Sequence, residues 1–458
     1  MAELEHRMFR RIAFLSVLAT VCLAQGKPPI TDAARMEQIV QSYVPSKQFM
    51  GSVLVAQDGK ILLDKGYGFA NLEWEIPNTS TTKFRLGSIT KQFTAASILL
   101  LEERGKLKVE DPVKKYMPEA PAAWDKVTIF HLLTHTSGIP SFTSFPDYRS
   151  REAEAMTPEK LVAWFRDKPL EFEPGEKWNY SNSGYVLLGY LIEKISGQSY
   201  SDFVQQNIFT PLGMKDSGYD SNSEVIAHRA AGYSRDKSGP VNAGFVHMSI
   251  PFSAGALYST AEDLLRWEQG LFGGKLLKPE SLAKMTTPFK EDYAFGLSVS
   301  SKNGHKVIAH GGGIEGFNTF LAYYPDDKLV VAVLANLNGP FAENIGGQLA
   351  QVVHGEKVVL ASERKEITLS PDILRKYVGT YELTPTFSIV MTLEDGHLMT
   401  QATNQPKIPI FAESETVFFL KVVDAQVEFI KNEKGEVTSL VLHQGGRDMK
   451  GTKIKGAP

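Results

Sequence analysis

Apolar and polar positions alternate with two different periods along this chain, and the places where the period changes mark its organisation. After residue 31, "DAARMEQIVQSYV" sets Met36, Ile39, Val40 and Tyr43 on one side at helical spacing, with Asp32 as N-cap. "GSVLVAQDGKILLDKGYG" follows as two apolar-rich runs joined at Asp58-Gly59, the pattern of a β-hairpin. From about 85 to 290 helical spacing dominates, and "YSNSGYVLLGYLIEKISG", stopped by Gly197, is its clearest amphipathic segment. Strand patterns return in "YAFGLSVSS", "HKVIAHGG", "FNTFLAYY" and "KLVVAVLAN", with turns at Asn303-Gly304 and "PDDK". "ENIGGQLAQVVHG" then reads as a closing helix.

Strands at both ends therefore bracket a helical insertion. The arrangement that buries every apolar face is an α/β domain over 31–357. One antiparallel sheet is built from both ends and flanked by the terminal helices, beside an all-helical lobe. A cleft between two such lobes is the default ligand site. A charged segment, 358–371, reads as a linker, and from 372 to 458 short strands and turns predict a small all-β barrel. Repeats and low-complexity tracts are not evident.

Composition adds constraints. The chain has 458 residues, 43% hydrophobic and 22% charged, with a net charge of −3 and no long basic run. Nucleic acid and anionic membrane surfaces are thereby excluded as expected partners. At the N-terminus, Arg7, Arg10 and Arg11 precede the apolar run Ile12–Ala24, which predicts a signal peptide over 1–24 and an exported, periplasmic or extracellular protein. The run is short for a permanent anchor, so no stable span is expected in the mature chain. Cys22 is the only cysteine, so that chain would lack disulfides, thiolate nucleophiles and Cys-ligated metals.

Three stretches carry candidate chemistry. In "FRLGSITKQFTAASILLLEERG", Ser88 and Lys91 stand three apart where an apolar helix begins. In the first turn they share a face, Ser88 gains the positive end of the helix dipole, and its N–H is a free donor. Nucleophile, adjacent base and half an oxyanion hole is one reading; a helix cap beside a solvated lysine is the other. In "EPGEKWNYSNSGYVLLG", Tyr180 is a phenolic proton carrier or a packed aromatic, and Asn182 an amide contact or part of a cap. In "IAHGGGIEGFNT", Gly311, Gly313 and Gly316 fit the spacing of a dinucleotide loop, but a strand and turn follow where that loop needs a helix. The glycines instead suit close approach by a substrate backbone at the end of a strand, with His310 facing the cleft or merely closing that strand. His131 and His135, four apart on an expected helix ending at Gly138, lack a third ligand and read as structural. A G-x-S-x-G elbow, the mark of an α/β-hydrolase, is absent.

Taken together, S-x-x-K, Y-x-N and a late His-x-Gly strand resemble the serine β-lactamase and penicillin-binding-protein superfamily. The likeness is to its class C branch, with D-aminopeptidases, DD-carboxypeptidases and family VIII carboxylesterases. "IFHLLTHTSGIP", "PLGMKDSG" and "SAGALYSTAEDLLRW" fit the same pattern in the same order. The region beginning "YVGTYEL" is similar to the lipocalin-like domains attached to some of these hydrolases. The resemblance implies Ser88 as acylated nucleophile, Lys91 as base or shuttle, Tyr180 as a proton carrier and Asn182 as a contact to the substrate amide. It sets His310 where other members carry lysine, with Gly312 completing the motif and the N–H groups of Ser88 and Gly313 as oxyanion hole. Histidine there is more usual among peptidase and esterase members than among efficient β-lactamases.

The function expected is a cofactor-free, metal-free serine hydrolase acting through an acyl-enzyme on a small molecule or short peptide, first of all peptides with D-residues. Ester hydrolysis and class C-like β-lactamase activity are the alternatives within that chemistry. A slow, ligand-recognising penicillin- or peptidoglycan-peptide-binding protein is the alternative outside it. Homo-oligomerisation through the β-domain is compatible with either.

Overall fold

The hairpin expected at Asp58-Gly59 forms, and its two strands, β1 (Gly51–Gln57) and β2 (Lys60–Tyr67), make one side of a six-stranded antiparallel sheet. The computed structural model describes residues 32–454 apart from 46, 238, 423, 445 and 446, and the segment read as a signal peptide lies outside them. The late strands are β3 (Ser298–Lys302), β4 (His305–Ile314), β5 (Phe317–Tyr324) and β6 (Leu329–Ala335). The order is β3-β4-β5-β6-β1-β2, so β6 pairs with β1 and joins the two ends of the domain.

Every residue of β6 is buried, as its unbroken apolar run requires of a strand covered on both faces. The pleat divides the side chains. Val53, Val55, Val331 and Val333 pack against α1 (Asp32–Tyr43) and the closing helix. Leu54, Ala332 and Leu334 pack into the helical lobe. At the centre of that lobe α2 (Thr90–Glu103) is buried from Thr90 through Leu101, a helix with neighbours on all sides. Beside it α3 (Asn182–Ser196) starts at Ser181, whose hydroxyl accepts the Gly184 N–H, and stops at left-handed Gly197. The closing helix is α4 (Phe341–Val353).

Local departures from the sequence pattern have local causes. The helical region also holds a three-stranded sheet of Phe84–Arg85, Leu257–Ser259 and Gly218–Tyr219, and a hairpin of Tyr233–Asp236 with Gly239–Asn242. In "YAFGLSVSS" only the part from Ser298 is strand, because Ala294 bonds back to Leu297 in a turn. The helix in "IFHLLTHTSG" ends at Leu133, where Thr134 turns its hydroxyl onto the Phe130 carbonyl and His135 takes a φ of 57°. His131 and His135 therefore do not share a helix face. His310 does not end its strand either: β4 runs on to Ile314 and pairs with β5 from Ile308 to Ile314.

The C-terminal region is a nearly closed barrel of nine antiparallel strands, from Gly379–Thr384 to Arg447–Lys453. Its terminal strands in the sheet order, Ile408–Pro409 and Phe411–Ala412, are almost contiguous in sequence. Tyr377, Tyr381, Met391, Phe418, Phe429 and Leu440 fill its interior. Among the described residues, no helix is long and apolar enough to cross a membrane.

Candidate active site

Two backbone segments meet where α2 begins. The turn Gly87–Ile89 leads into the helix, and Gly87 holds a φ of 56° with its α-carbon against β4: a Cβ there would lie 2.8 Å from the Gly313 nitrogen. A Cβ on Gly312 would lie 1.9 Å from the Leu86 carbonyl oxygen, which also accepts a 2.7 Å hydrogen bond from Thr319. Glycine at both positions lets the Ser88 turn and the Gly312–Gly313 segment touch backbone to backbone. β3 pairs only with His305–Ala309 of β4, so among the described residues the outer edge of 310–314 has no partner strand. Ser88 lies half-buried beside that edge.

One turn further along the helix, Lys91 is fully buried, and its Nζ is 3.0 Å from Ser88 Oγ, 2.9 Å from Asn182 Oδ1 and 2.9 Å from the Ala254 carbonyl oxygen. Among the described residues no carboxylate pairs with it, and burial holds its pKa well below the ordinary lysine value. A neutral amine has two N–H groups and one lone pair. Asn182 Oδ1 and the Ala254 carbonyl can only accept, so they take both N–H groups, and the lone pair is left facing the Ser88 hydroxyl.

Asn182, the first residue of α3, is fixed on its other side by donating Nδ2–H to Thr143 Oγ1 at 3.1 Å, while its backbone N–H donates to Ser141 Oγ at 3.1 Å. Tyr180 is half-buried with its ring 4.9 Å from Lys91 Nζ and its hydroxyl in hydrogen-bonding reach of Ser88. Burial raises its phenol pKa above the ordinary value, a shift the Ser88 contact only partly offsets, so it stays protonated at neutral pH.

His310 is 9% exposed, its ring 6.2 Å from that of Tyr180. Its Nδ1 lies 2.6 Å from the Gly311 carbonyl oxygen and so carries the proton; Nε2 then accepts the Tyr293 O–H at 2.9 Å. Burial, and behind it the nearby Lys91, push its pKa down to about 4. The imidazole is uncharged at neutral pH. Ser88, Lys91, Tyr180, Asn182, His310, Gly312 and Gly313 are thus all brought to one place.

Three further members lie outside the candidate residues, and one of them, His135, keeps the structural role read for it although not on a helix face. His135 is buried, its ring 4.2 Å from Tyr180 and 4.7 Å from Tyr293, and its Nδ1 accepts the Ser181 N–H at 3.2 Å. That bond fixes the loop that carries Tyr180 into α3. Tyr293 holds His310, and the Ala254 carbonyl holds Lys91. Ring and side-chain identities gave some signal for the first two. A backbone carbonyl gives none. Among the described residues, the one group of three histidine or carboxylate side chains close enough to share an ion lies elsewhere, at His305, Asp327 and His354.

Residues 36–354 match the family model Beta-lactamase, and residues 363–456 match the Domain of unknown function (DUF3471). Penicillin-binding protein 4* of Bacillus subtilis (strain 168) is 30% identical over 449 residues, 92% of this chain and 98% of that protein. The octameric penicillin-binding protein homologue from Pyrococcus abyssi superposes with a TM-score of 0.66 at 28% identity, over 92% of this chain and 100% of that one. A D-stereospecific amidohydrolase from Streptomyces sp. gives a TM-score of 0.58 at 26% identity, over 71% of this chain and 98% of its own.

Proposed function

Because the chain belongs to the beta-lactamase family, which takes in penicillin-binding proteins, we propose that it is a serine hydrolase that cleaves amide bonds of short peptides containing D-residues through a Ser88 acyl-enzyme. The observation that carries this reading is the buried Lys91, which pairs with no carboxylate among the described residues and whose Nζ lies 3.0 Å from Ser88 Oγ. As Oγ adds to the substrate carbonyl carbon, its proton passes to Lys91 Nζ. The N–H groups of Ser88 and Gly313 stabilise the oxyanion. Tyr180, kept protonated, gives its proton to the leaving amine and is restored by the proton held on Lys91, whose Nζ lies 4.9 Å from its ring. Asn182 orients Lys91 and offers its amide to the substrate. Water then attacks the ester by the reverse relay.

His310 narrows the substrate. A β-lactam carries a carboxylate beside the reacting carbonyl, and a neutral imidazole with both nitrogens engaged gives it no fixed positive charge. A peptide laid along the free edge of β4 needs only backbone donors and acceptors. The likeness to a D-stereospecific amidohydrolase supports the same choice of stereochemistry. Export, read from the arginine-flanked apolar run, would bring the protein to cell-wall peptides, where D-residues occur.

Turnover of D- and L-aminoacyl anilides, nitrophenyl esters and a cephalosporin tests the reading. The D-anilides are expected to give the highest kcat/KM; preference for L-anilides, or turnover of esters alone, overturns the substrate assignment. Labelling by fluorescent penicillin with no turnover of any of them would identify a binding protein instead.

His310→Lys is expected to raise the cephalosporin-to-ester ratio of kcat/KM by roughly tenfold, about what one added ion pair contributes in a partly dry site. An unchanged ratio would mean that this position does not meet the substrate's carboxylate.

A further inference from the structure

The far end of β4 carries a second convergence of chemical groups. His305 opens the strand, Asp327 lies in the turn between β5 and β6, and His354 follows the last turn of α4. Asp327 Oδ2 is 3.0 Å from His354 Nε2 and 3.5 Å from His305 Nδ1, and the three ligand atoms all lie within 4.8 Å of one another. The His354 side chain is only 5% exposed. Its Nε2 and the facing Asp327 Oδ2 are both shut off from solvent and meet at 3.0 Å without a well-aligned hydrogen bond. A buried carboxylate oxygen and a buried ring nitrogen that meet without a well-aligned hydrogen bond both have lone pairs that one cation beside them would satisfy.

We propose that His305, Asp327 and His354 form a binding site for a divalent transition-metal ion, Zn²⁺ in the first place. Two imidazoles and one carboxylate are the donors that late first-row ions prefer. With ligand bonds of about 2.1 Å, separations of 3.0 and 3.5 Å subtend roughly 90° and 110° at a shared ion, angles that four- to six-coordinate sites accept. The cation would also sit beside the negative end of the α4 dipole.

The two imidazoles stack face to face, with centroids 3.6 Å apart and planes 3° from parallel. A metal lies in the plane of each ring it binds, so one ring has to turn as the ion enters. His305 is that ring. It is about a third exposed and follows the Asn303-Gly304 turn, whereas the His354 side chain is only 5% exposed and has the least room to turn. An ion held there ties the start of β4 to the end of α4 and to the β5–β6 turn. Since β4 leads in five residues from His305 to His310, the clip anchors the strand that forms one wall of the cleft. This role does not depend on the reaction proposed for that cleft.

The test uses the full chain, stripped with chelator and dialysed against ZnCl₂, with bound metal measured by mass spectrometry and affinity by calorimetry. One equivalent of Zn²⁺ is expected, with a rise in the melting temperature of the loaded protein. His354→Ala and Asp327→Asn are each expected to weaken binding by about 100-fold or more, and His305→Ala by at least about tenfold. Co²⁺ in place of Zn²⁺ should give a ligand-field spectrum that His305→Ala alters; because the His305 and Asp327 side chains are each about a third exposed, their variants keep the test sound if His354→Ala unfolds the protein. His443, whose Nδ1 lies 2.7 Å from Asp448 Oδ1 on the barrel, is the competing place for a stray ion, and His443→Ala should leave the stoichiometry unchanged. Binding below one equivalent, binding lost in His443→Ala, or binding equally strong in all three ligand variants overturns the proposal.

Discussion

Ser88→Ala is expected to abolish covalent labelling by fluorescent penicillin and by a fluorophosphonate, and to lower kcat by at least about 10³-fold. The reasoning begins with what the substitution removes. Among the described residues, Ser88 Oγ is the only hydroxyl to which Lys91 Nζ is hydrogen-bonded, at 3.0 Å, and the other hydrogen bonds of Nζ, to Asn182 and Ala254, do not involve the atom the variant removes. Alanine also suits the turn that Ser88 occupies, and the backbone contact between Gly87 and Gly313 does not involve its side chain. The melting temperature should therefore shift by no more than a few degrees, while intact mass after labelling shows no adduct. The proposed oxyanion hole is made of backbone N–H groups that the substitution leaves in place, so a residual rate above that of water is expected. An adduct that persists at full stoichiometry in the folded variant would place the nucleophile elsewhere and sink the proposed mechanism.

How much of this was legible beforehand follows from where each kind of information resides. Period-2 alternation and the Asp58-Gly59 turn are local, and they gave the sheet, the hairpin and the two-ended construction that places β6 beside β1. The spacing of Ser88 and Lys91 is also local: three residues at the opening of an apolar helix put both on one face. Burial is not local. Nothing around Lys91 in the chain says that Ala254 and Asn182 close over it, yet that closure lowers its pKa and makes it a candidate base. His310 shows the same limit. Its position on a strand was readable, but the proton on Nδ1 depends on its own neighbour's carbonyl, and the neutral Nε2 depends on Tyr293 in a segment read as strand. His135 was misplaced for a different reason: a positive φ at a non-glycine residue is dictated by packing among Tyr180, Tyr185 and Tyr293, which pattern cannot reveal. The cluster at the other end of β4 gathers residues 305, 327 and 354, whose separations match no ligand motif, so only the fold could bring them together.

Lys91→Met and Lys91→Arg together decide what the buried lysine does, and both are expected to lower kcat by about 10³-fold or more. Methionine keeps much of the length and apolar bulk of the stem while removing the nitrogen. Arginine keeps a positive charge but stays protonated, so it offers no lone pair. The lysine pKa is lowered by burial, so the free base is present above that lowered value and is lost as pH falls through it. In the wild type the acid limb of kcat/KM should then report Lys91, and it should lie well below the range of an ordinary lysine. In Lys91→Met the residual activity should lack that limb. The double variant Ser88→Ala/Lys91→Met should be no slower than either single one, because both remove the same step. Substantial activity in Lys91→Arg is the result that would reverse the assignment. It would show that a fixed charge is enough at this position, and that the proton is taken by the Tyr180 phenol, ionised beside that charge in spite of a buried site that otherwise keeps it protonated.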